Sequence, residues 1–372
     1  MNTKKTTKKL PSWLVRLIIA GALLIFTGVV WLLASKVPSL FFPWYREFSK
    51  GLMTVLSTVM GVVPVALWDF GEVALILLLI VSIVVMIVKK KRFLNWFSKV
   101  FLIVAALGSF VILGWMLNHY GPSLREEIGL SVREYTKEEL EDAFYYYAEQ
   151  ATNYADRIER DENQDPLRQD FFELAERGGK IYENISQEYA CFRGSTARVK
   201  GLALFDQYLL YRGNSGEFMP ITGESSLPFS DNVIDIPFTM AHEAAHRLGI
   251  ASEEEANFAA FLACEASGDP EFLYSAYYSA FVYCYNALFK ANYGALVSCL
   301  MELQEENPSG YALLIHDTNI GAVYYAKYEG PVQEAGTKVN DTYLKDFGHE
   351  SGVESYGEVV DDLVAWYLKN YK

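Results

Sequence analysis

The residues best suited to chemistry lie in the segment TMAHEAAHRLGIASEEEANFAAF, residues 239–261, which carries two of the chain's five histidines. On a helix, residues four apart project from one face, so His242 and His246 can both reach one Zn²⁺ at about 2.0–2.1 Å. Glu243 is offset by about 100°, where its carboxylate can hydrogen-bond to a water on the metal. The spacing therefore predicts an HExxH zinc site with Glu243 as general base.

A catalytic zinc site needs a third protein ligand and an open fourth position. The candidates are Glu253, Glu254 and Glu255. Ser252 and Glu255 have the spacing of a capping box, which would occupy the Glu255 carboxylate with the helix backbone. Glu253 shares a helix face with Asn257, whose side chain could orient a liganding histidine through a hydrogen bond. We therefore predict Glu253 as the ligand, although acidic residues also stabilise a helix N-terminus without any metal.

A helix must position this motif, and further elements must surround it. Thr239, shortly after Pro237, is the expected N-cap, and Gly249 is expected to end the helix. Residues 197–222 predict two short strands around a Gly-Asn-Ser-Gly turn. The rest of residues 120–372 predicts helices: one capped by Thr136 and Glu139, one from Pro166 towards Tyr189, and one from about 355 to 368. The fold class is mainly α with a small β-sheet.

Residues 1–118 have a membrane composition. They carry 13 Lys and Arg against 3 Asp and Glu, and they include three long apolar runs, at about 13–34, 72–88 and 100–118. A fourth stretch, 45–68, contains Pro64 and an apolar stripe at helical spacing, which favours a helix lying at the bilayer interface. Three crossings place both the N-terminal lysines and the KKKR run at 89–92 in the cytoplasm. Residues 119–372 would then form an extracytoplasmic domain, with the lipid bilayer as a partner.

The predicted outer domain carries 19 Lys and Arg against 43 Asp and Glu, which argues against a nucleic-acid partner. It contains all four cysteines, Cys191, Cys264, Cys284 and Cys299. An oxidising compartment permits two disulfides, but the apolar surroundings fit buried thiols equally well. No CxxC motif occurs, so a cysteine zinc cluster is unsupported.

HExxH followed by ExxAN resembles the signature of gluzincin metallopeptidases. Together with the three spans, the segments LREEIGL, ITGE, PFTMAHEAAHRLGIASEEEANF and SYGEVVDDL resemble an uncharacterised family of membrane-anchored, zincin-like bacterial proteins. This resemblance implies a zincin-like metallopeptidase domain in which His242, His246 and Glu253 bind zinc and Glu243 is the base. The chain departs from the gluzincin pattern at Asn257, where many members have Asp, and in the six residues between His246 and Glu253, which leave no room for an inserted subdomain.

The resemblance implies a zinc metallopeptidase that hydrolyses a peptide or protein substrate with a zinc-activated water. Gluzincins bind extended peptides along a strand edge, which residues 217–222 could provide. Tyr356, His349 and His316 are candidates to stabilise the oxyanion, and Tyr356 is preferred because its stretch belongs to the resemblance.

Three other functions remain possible at this stage. A non-catalytic zinc-binding sensor or scaffold has no use for Glu243 as a base. A di-iron carboxylate bundle needs a second ExxH motif, and the nearest, Asp346 to His349, has the wrong acid. An intramembrane protease would carry HExxH inside an apolar span, whereas charged residues flank this one. The sequence leaves the oligomeric state open.

Overall fold

A computed structural model describes residues 10–346 and 358–372. In these ranges the protein is mainly helical with one three-stranded sheet, and three helices are long and apolar enough to cross a membrane. The predicted fold class is confirmed to that extent, whereas a zincin-like domain stays a prediction. The chain forms two compact units: Met1–Ser49 with Phe70–Gly121, and Lys50–Asp69 with Pro122–Lys372.

The first four helices supply most of the first unit. They are α1 (Ser12–Lys36), α2 (Pro38–Met60), α3 (Leu67–Val88) and α4 (Phe93–Gly114), and α1, α3 and α4 are the candidate spans. Helices α1 and α4 are held together by small and polar residues, with Thr27 Oγ1 donating to Ser109 Oγ at 2.9 Å. The third span was predicted to reach residue 118, but α4 ends at Gly114. Trp115 leaves the helical conformation there (φ −146°, ψ −46°), and a short 3₁₀ turn follows.

The second unit contains a helical core around one small sheet. Its helices are α5 (Leu124–Glu127), α6 (Lys137–Ala155), α7 (Phe171–Gly179), α8 (Asp206–Tyr211), α9 (Asp235–Arg247), α10 (Glu253–Glu265), α11 (Pro270–Ala291), α12 (Tyr293–Glu306), α13 (Pro308–Tyr325), α14 (Pro331–Asp346) and α15 (Val359–Asn370). The predicted capping box at Thr136 and Glu139 is present at the start of α6. The helix predicted from Pro166 is shorter than expected and covers only α7, and between α7 and Tyr189 the chain forms turns and one 3₁₀ helix, Ile185–Gln187.

The sheet has the order β1-β3-β2, with β1 at Lys200–Leu202, β2 at Glu217–Met219 and β3 at Glu224–Pro228. The two predicted strands are present, but they do not pair with each other. Strand β3 lies between them, parallel to β1 and antiparallel to β2, and α8 fills part of the segment that joins them. Among the described residues, β2 is therefore an edge strand of the sheet.

Two features of the second unit bear on the sequence-based expectations. Residues 50–69 belong to this unit by their contacts, so it is assembled from two separate stretches of chain. All four cysteines are buried free thiols, which is the second of the two states that the sequence allowed.

Aromatic side chains fill much of the core; Phe144, Tyr147, Phe261 and Tyr274 are almost completely buried.

Candidate metal centre

Helix α9 carries the HExxH motif through the core of the second unit. It begins at Asp235 with Ile234 as its N-cap, so the expected N-cap at Thr239 was wrong. Pro237 lies in the first turn of the helix, where backbone N–H groups have no partner inside the helix and a proline costs nothing. Thr239 is consequently an interior residue of the helix.

A tight turn joins α9 to α10 and determines how the two helices meet. Gly249, predicted to end α9, has φ +84°. The N–H of Gly249 donates to His246 O at 3.0 Å, and the N–H of Ile250 donates to Ala245 O at 3.2 Å. This pair of bonds is a Schellman motif, which reverses the chain in a few residues. Ser252 then caps α10 by accepting from the N–H of Glu255 at 3.3 Å, so six intervening residues suffice to bring Glu253 back to α9.

The turn brings three ligand groups to one point. The Nε2 atoms of His242 and His246 lie 3.1 Å apart. The Glu253 carboxylate lies 3.2 Å from His242 Nε2 through one oxygen and 3.8 Å from His246 Nε2 through the other. These three residues are the one group of three or more His, Cys, Asp or Glu side chains in the described ranges whose ligand atoms lie this close together.

The hydrogen bonds of the two imidazoles decide which ring nitrogens can bind a cation. His246 Nδ1 lies 2.8 Å from the carbonyl oxygen of Ile250, which can only accept, so Nδ1 carries the proton. His242 Nδ1 donates in the same way to Asn257 Oδ1 at 2.9 Å. In the neutral rings each Nε2 atom therefore carries a lone pair instead of a proton. The two Nε2 atoms face each other and the Glu253 carboxylate. Such a group of acceptors is repulsive unless a cation lies between them.

The spacing of these groups fits zinc. Two ligand atoms at about 2.0–2.1 Å from a tetrahedral ion lie about 3.4 Å apart, and the three measured separations of 3.1, 3.2 and 3.8 Å bracket that value. Two imidazoles and one carboxylate are also a donor set of catalytic zinc sites, in which a fourth position stays open. The His242 and Glu253 side chains keep 12% and 19% of their surface exposed, so neither side chain is completely sealed from solvent.

Burial sets the electrostatics of the site. It lowers the pKa of His246 to about 4, so this imidazole is neutral at physiological pH, as a metal ligand must be. Burial also lowers the pKa of His242, but the hydrogen bond and charge of Glu253 outweigh it, and the net direction is upward.

Glu243 lies beside this group in an unusual environment. Its side chain is buried, and the described residues offer its Oε2 atom no hydrogen-bond partner. Burial raises the pKa of Glu243 to about 8, with the charge of Glu253 adding to the rise and that of His242 opposing it. Gly216, just before β2, leaves room for the carboxylate: a Cβ on Gly216 would come within 2.7 Å of Glu243 Cγ. Ser225 Oγ of β3 holds the helix by donating to the backbone oxygen of Glu243 at 2.6 Å.

The other predicted residues have different positions. Glu255 does not close a capping box with Ser252; its carboxylate accepts from the N–H of Leu124 at 2.8 Å. His316 lies on α13 and pairs with Asp165 at 2.7 Å, outside the three-residue group. Tyr356 and His349 lie outside the described residues, so the choice among the oxyanion candidates stays a prediction.

Three features of the site have no clear signal in the sequence. They are the space provided by Gly216, the acceptor provided by the Ile250 carbonyl, and the tie from Ser225 to α9. The Gly-Asn-Ser-Gly segment predicts a turn, but not that the turn lies against Glu243. Backbone acceptors and long-range contacts of this kind depend on tertiary packing and leave no periodic pattern.

The geometry thus defines a candidate mononuclear metal site in a mainly helical protein with three candidate spans. The family model described as "Protein of unknown function (DUF3810)" matches residues 44–364, and the chain belongs to this family. No curated protein and no solved structure showed a significant match. The predicted membership of an uncharacterised family is confirmed, whereas the relation to gluzincins stays a prediction.

Proposed function

We propose that this protein is a membrane-anchored, zinc-dependent metallopeptidase. The observation that carries the proposal is the convergence of His242 Nε2, His246 Nε2 and the Glu253 carboxylate beside the buried carboxylate of Glu243, whose Oε2 atom has no hydrogen-bond partner in the described part of the chain. Burial of a polar atom without a hydrogen bond costs free energy, and buried groups with shifted pKa values are concentrated at functional sites. In a zinc site that hydrolyses peptides, the task of such a carboxylate is to move a proton.

Each side chain has one role in the proposed reaction. His242, His246 and Glu253 would hold the ion, with Asn257 and the Ile250 carbonyl orienting the two imidazoles. Zinc, when bound, would acidify a water molecule and polarise the substrate carbonyl. The Glu243 carboxylate would accept the proton of the attacking water and then return it to the departing amine.

The sheet supports a peptide as the substrate. Gly216 lies against the Glu243 carboxylate, and the edge strand β2 begins at the next residue, Glu217. An extended peptide that added to this edge would run past Glu243 and present its backbone to the metal position. The second unit lies outside the cytoplasm in this proposal, because only that orientation keeps the KKKR run at 89–92 inside.

Glu243→Gln separates the enzyme from a non-catalytic zinc-binding sensor or scaffold. The variant keeps the size of the side chain but cannot accept a proton, so we expect zinc to stay at one ion per chain. Cleavage of a peptide library by the purified full chain should fall at least about 100-fold. Metal content by mass spectrometry and product formation measure the two effects.

Glu305→Gln, at an exposed position on α12, is the matched control and should leave both zinc and cleavage unchanged. Full cleavage by Glu243→Gln would refute the assigned base. A wild-type protein that holds zinc but cleaves no peptide would favour the scaffold.

A further inference from the structure

The beginning of α3 is built into the unit that holds the metal centre. Leu67, Trp68 and Asp69 are its first three residues, and they belong to the second unit, although α3 as a whole is a candidate span. The Glu224 carboxylate, at the start of β3, accepts from the N–H of Leu67 at 2.9 Å and of Trp68 at 3.0 Å. The Trp68 indole N–H donates to Ser226 Oγ of the same strand at 2.9 Å. Strand β3 therefore binds the N-terminus of a helix that can enter a bilayer.

Asp69 reinforces this attachment. Its side chain is completely buried, and its carboxylate accepts the backbone N–H groups of Ala203 at 2.7 Å, Leu204 at 2.6 Å and Phe205 at 3.2 Å. Three N–H bonds to one carboxylate fix the loop after β1 directly on the helix. The start of α3 is therefore bonded to β3 and to the loop that follows its neighbour β1.

These bonds limit how far the metal centre can lie from the start of α3. A path runs from Trp68 through Glu224 to Ser225, and from the Ser225 hydroxyl to the backbone of Glu243. Standard bond lengths and the two hydrogen bonds give this path a length of at most roughly 20 Å. The apolar run of α3 starts at Val73, about 7.5 Å along the helix from Trp68. The catalytic motif therefore lies within roughly 20 Å of Trp68, in the first turn of a candidate span.

The segments next to this attachment expose several apolar side chains, which together are called the apolar face here. Val55, Val59 and Val62 leave 62%, 64% and 84% of their surface exposed, whereas Met53 and Ser57 of the same segment are buried in the unit. Leu204 and Tyr208, in and after the loop that Asp69 holds, are about half exposed. Valine, leucine and tyrosine side chains exposed next to the start of a span are suited to the lipid surface.

We propose that this apolar face contacts the bilayer and that the metal centre cleaves membrane-tethered polypeptides close to their point of emergence from the lipid. The inference rests on the proposed peptidase activity and adds the substrate class. A peptide spans at most about 3.4 Å per residue, so a scissile bond about ten residues from the membrane is far enough from the lipid to reach the site. A tether to the same bilayer also raises the effective substrate concentration at the site.

The contact with lipid is tested without any reaction. The full chain carries a bimane label on Cys at position 62 or 208 and is reconstituted in vesicles of phosphatidylcholine with brominated acyl chains. The native cysteines are buried, so labelling is selective. We expect strong quenching at positions 62 and 208 and none at the exposed control, Glu305→Cys. Fluorescence at 62 and 208 equal to that of the control would overturn the lipid-facing assignment.

The substrate class is tested with one fluorogenic peptide, chosen from the library for cleavage by the full chain in vesicles. It is presented in solution, on a phospholipid through a ten-residue tether, or on a phospholipid through a polymer tether several times longer. At equal total concentration, the short tether should give at least a tenfold higher rate than the soluble peptide and a higher rate than the long tether. Equal rates for all three would overturn this inference alone, whereas no cleavage in any form would overturn the peptidase proposal as well.

Discussion

At the scale of single residues, the metal centre depends on the Nδ1 protons of its two histidines, which point away from the metal position. His246 gives its Nδ1 proton to the Ile250 carbonyl, and His242 gives its own to Asn257 Oδ1. Both rings thus present Nε2 to the same point before any ion arrives. A ligand set that is already oriented loses little side-chain entropy on binding, which favours a tight site.

Asn257 tests this orientation. Asn257→Ala removes the acceptor for His242 Nδ1–H, and we expect zinc affinity to fall about 10–100-fold. Asn257→Asp keeps an acceptor at the same place and should retain affinity close to that of the wild type. Competition with a chromogenic chelator measures both values. Equal losses in the two variants, or no loss in Asn257→Ala, would show that this hydrogen bond does not position the ligand.

The residues of the site differ in how far the sequence could predict them. Two histidines at i and i+4 next to a glutamate indicate a zinc motif by spacing alone. Glu253 was chosen over Glu255 because Glu255 was expected to cap its own helix, yet Glu255 binds the backbone at Leu124 instead. The expected capping role of the Glu255 carboxylate is therefore wrong. A bond across more than a hundred residues has no local signal.

At the scale of elements, the site needs one tight turn that reverses the chain between two helices, and one edge strand. The Schellman turn at Gly249 reverses the chain between α9 and α10. The glycine predicts from the sequence that α9 ends at this position. The sequence does not predict the start of α9 correctly. Pro237 indicates a position before the helix, whereas it lies within the first turn. Strand β3 was also missed, since ESSLP lacks the β-branched and aromatic residues typical of strands.

Gly216 connects the strand edge to the proposed base. Gly216→Ala would place a methyl group in the space of the Glu243 carboxylate, so either the carboxylate or β2 must shift. We expect peptide cleavage to fall at least tenfold, because a displaced base loses its alignment, while zinc stays bound. Activity and metal content of the purified full chain measure the effect.

Gly294→Ala is the matched control for that substitution. A Cβ there meets only the Asn292 Oδ1 atom at 3.6 Å, an ordinary contact, so the control should keep full activity. Full activity of Gly216→Ala would contradict the close approach of strand and base.

At the scale of the whole molecule, the charge asymmetry of the sequence predicts a membrane part and an acidic part, but not how they interleave. Residues 50–69 lie between two candidate spans in sequence and belong to the second unit in space. Arg125 of LREEIGL pairs with the buried Asp362 of SYGEVVDDL, so two segments singled out by the family resemblance meet in the fold. Neither arrangement follows from local patterns.

Topology gives a prediction at this scale. A cysteine at Glu126, an exposed position of the second unit, should react with an impermeant maleimide on intact cells. A cysteine at Lys90 should react only after permeabilisation, because the KKKR run is expected in the cytoplasm. Labelling at Glu126 that requires permeabilisation would reverse the proposed orientation.

Zinc K-edge X-ray absorption of the purified full chain tests the central claim most directly. The account predicts one zinc per chain with two imidazole nitrogens and oxygen donors at about 2.0–2.1 Å, and loss of this signal in His246→Ala. A sulfur-containing shell, a single imidazole, or a protein that binds no zinc would contradict the proposed site.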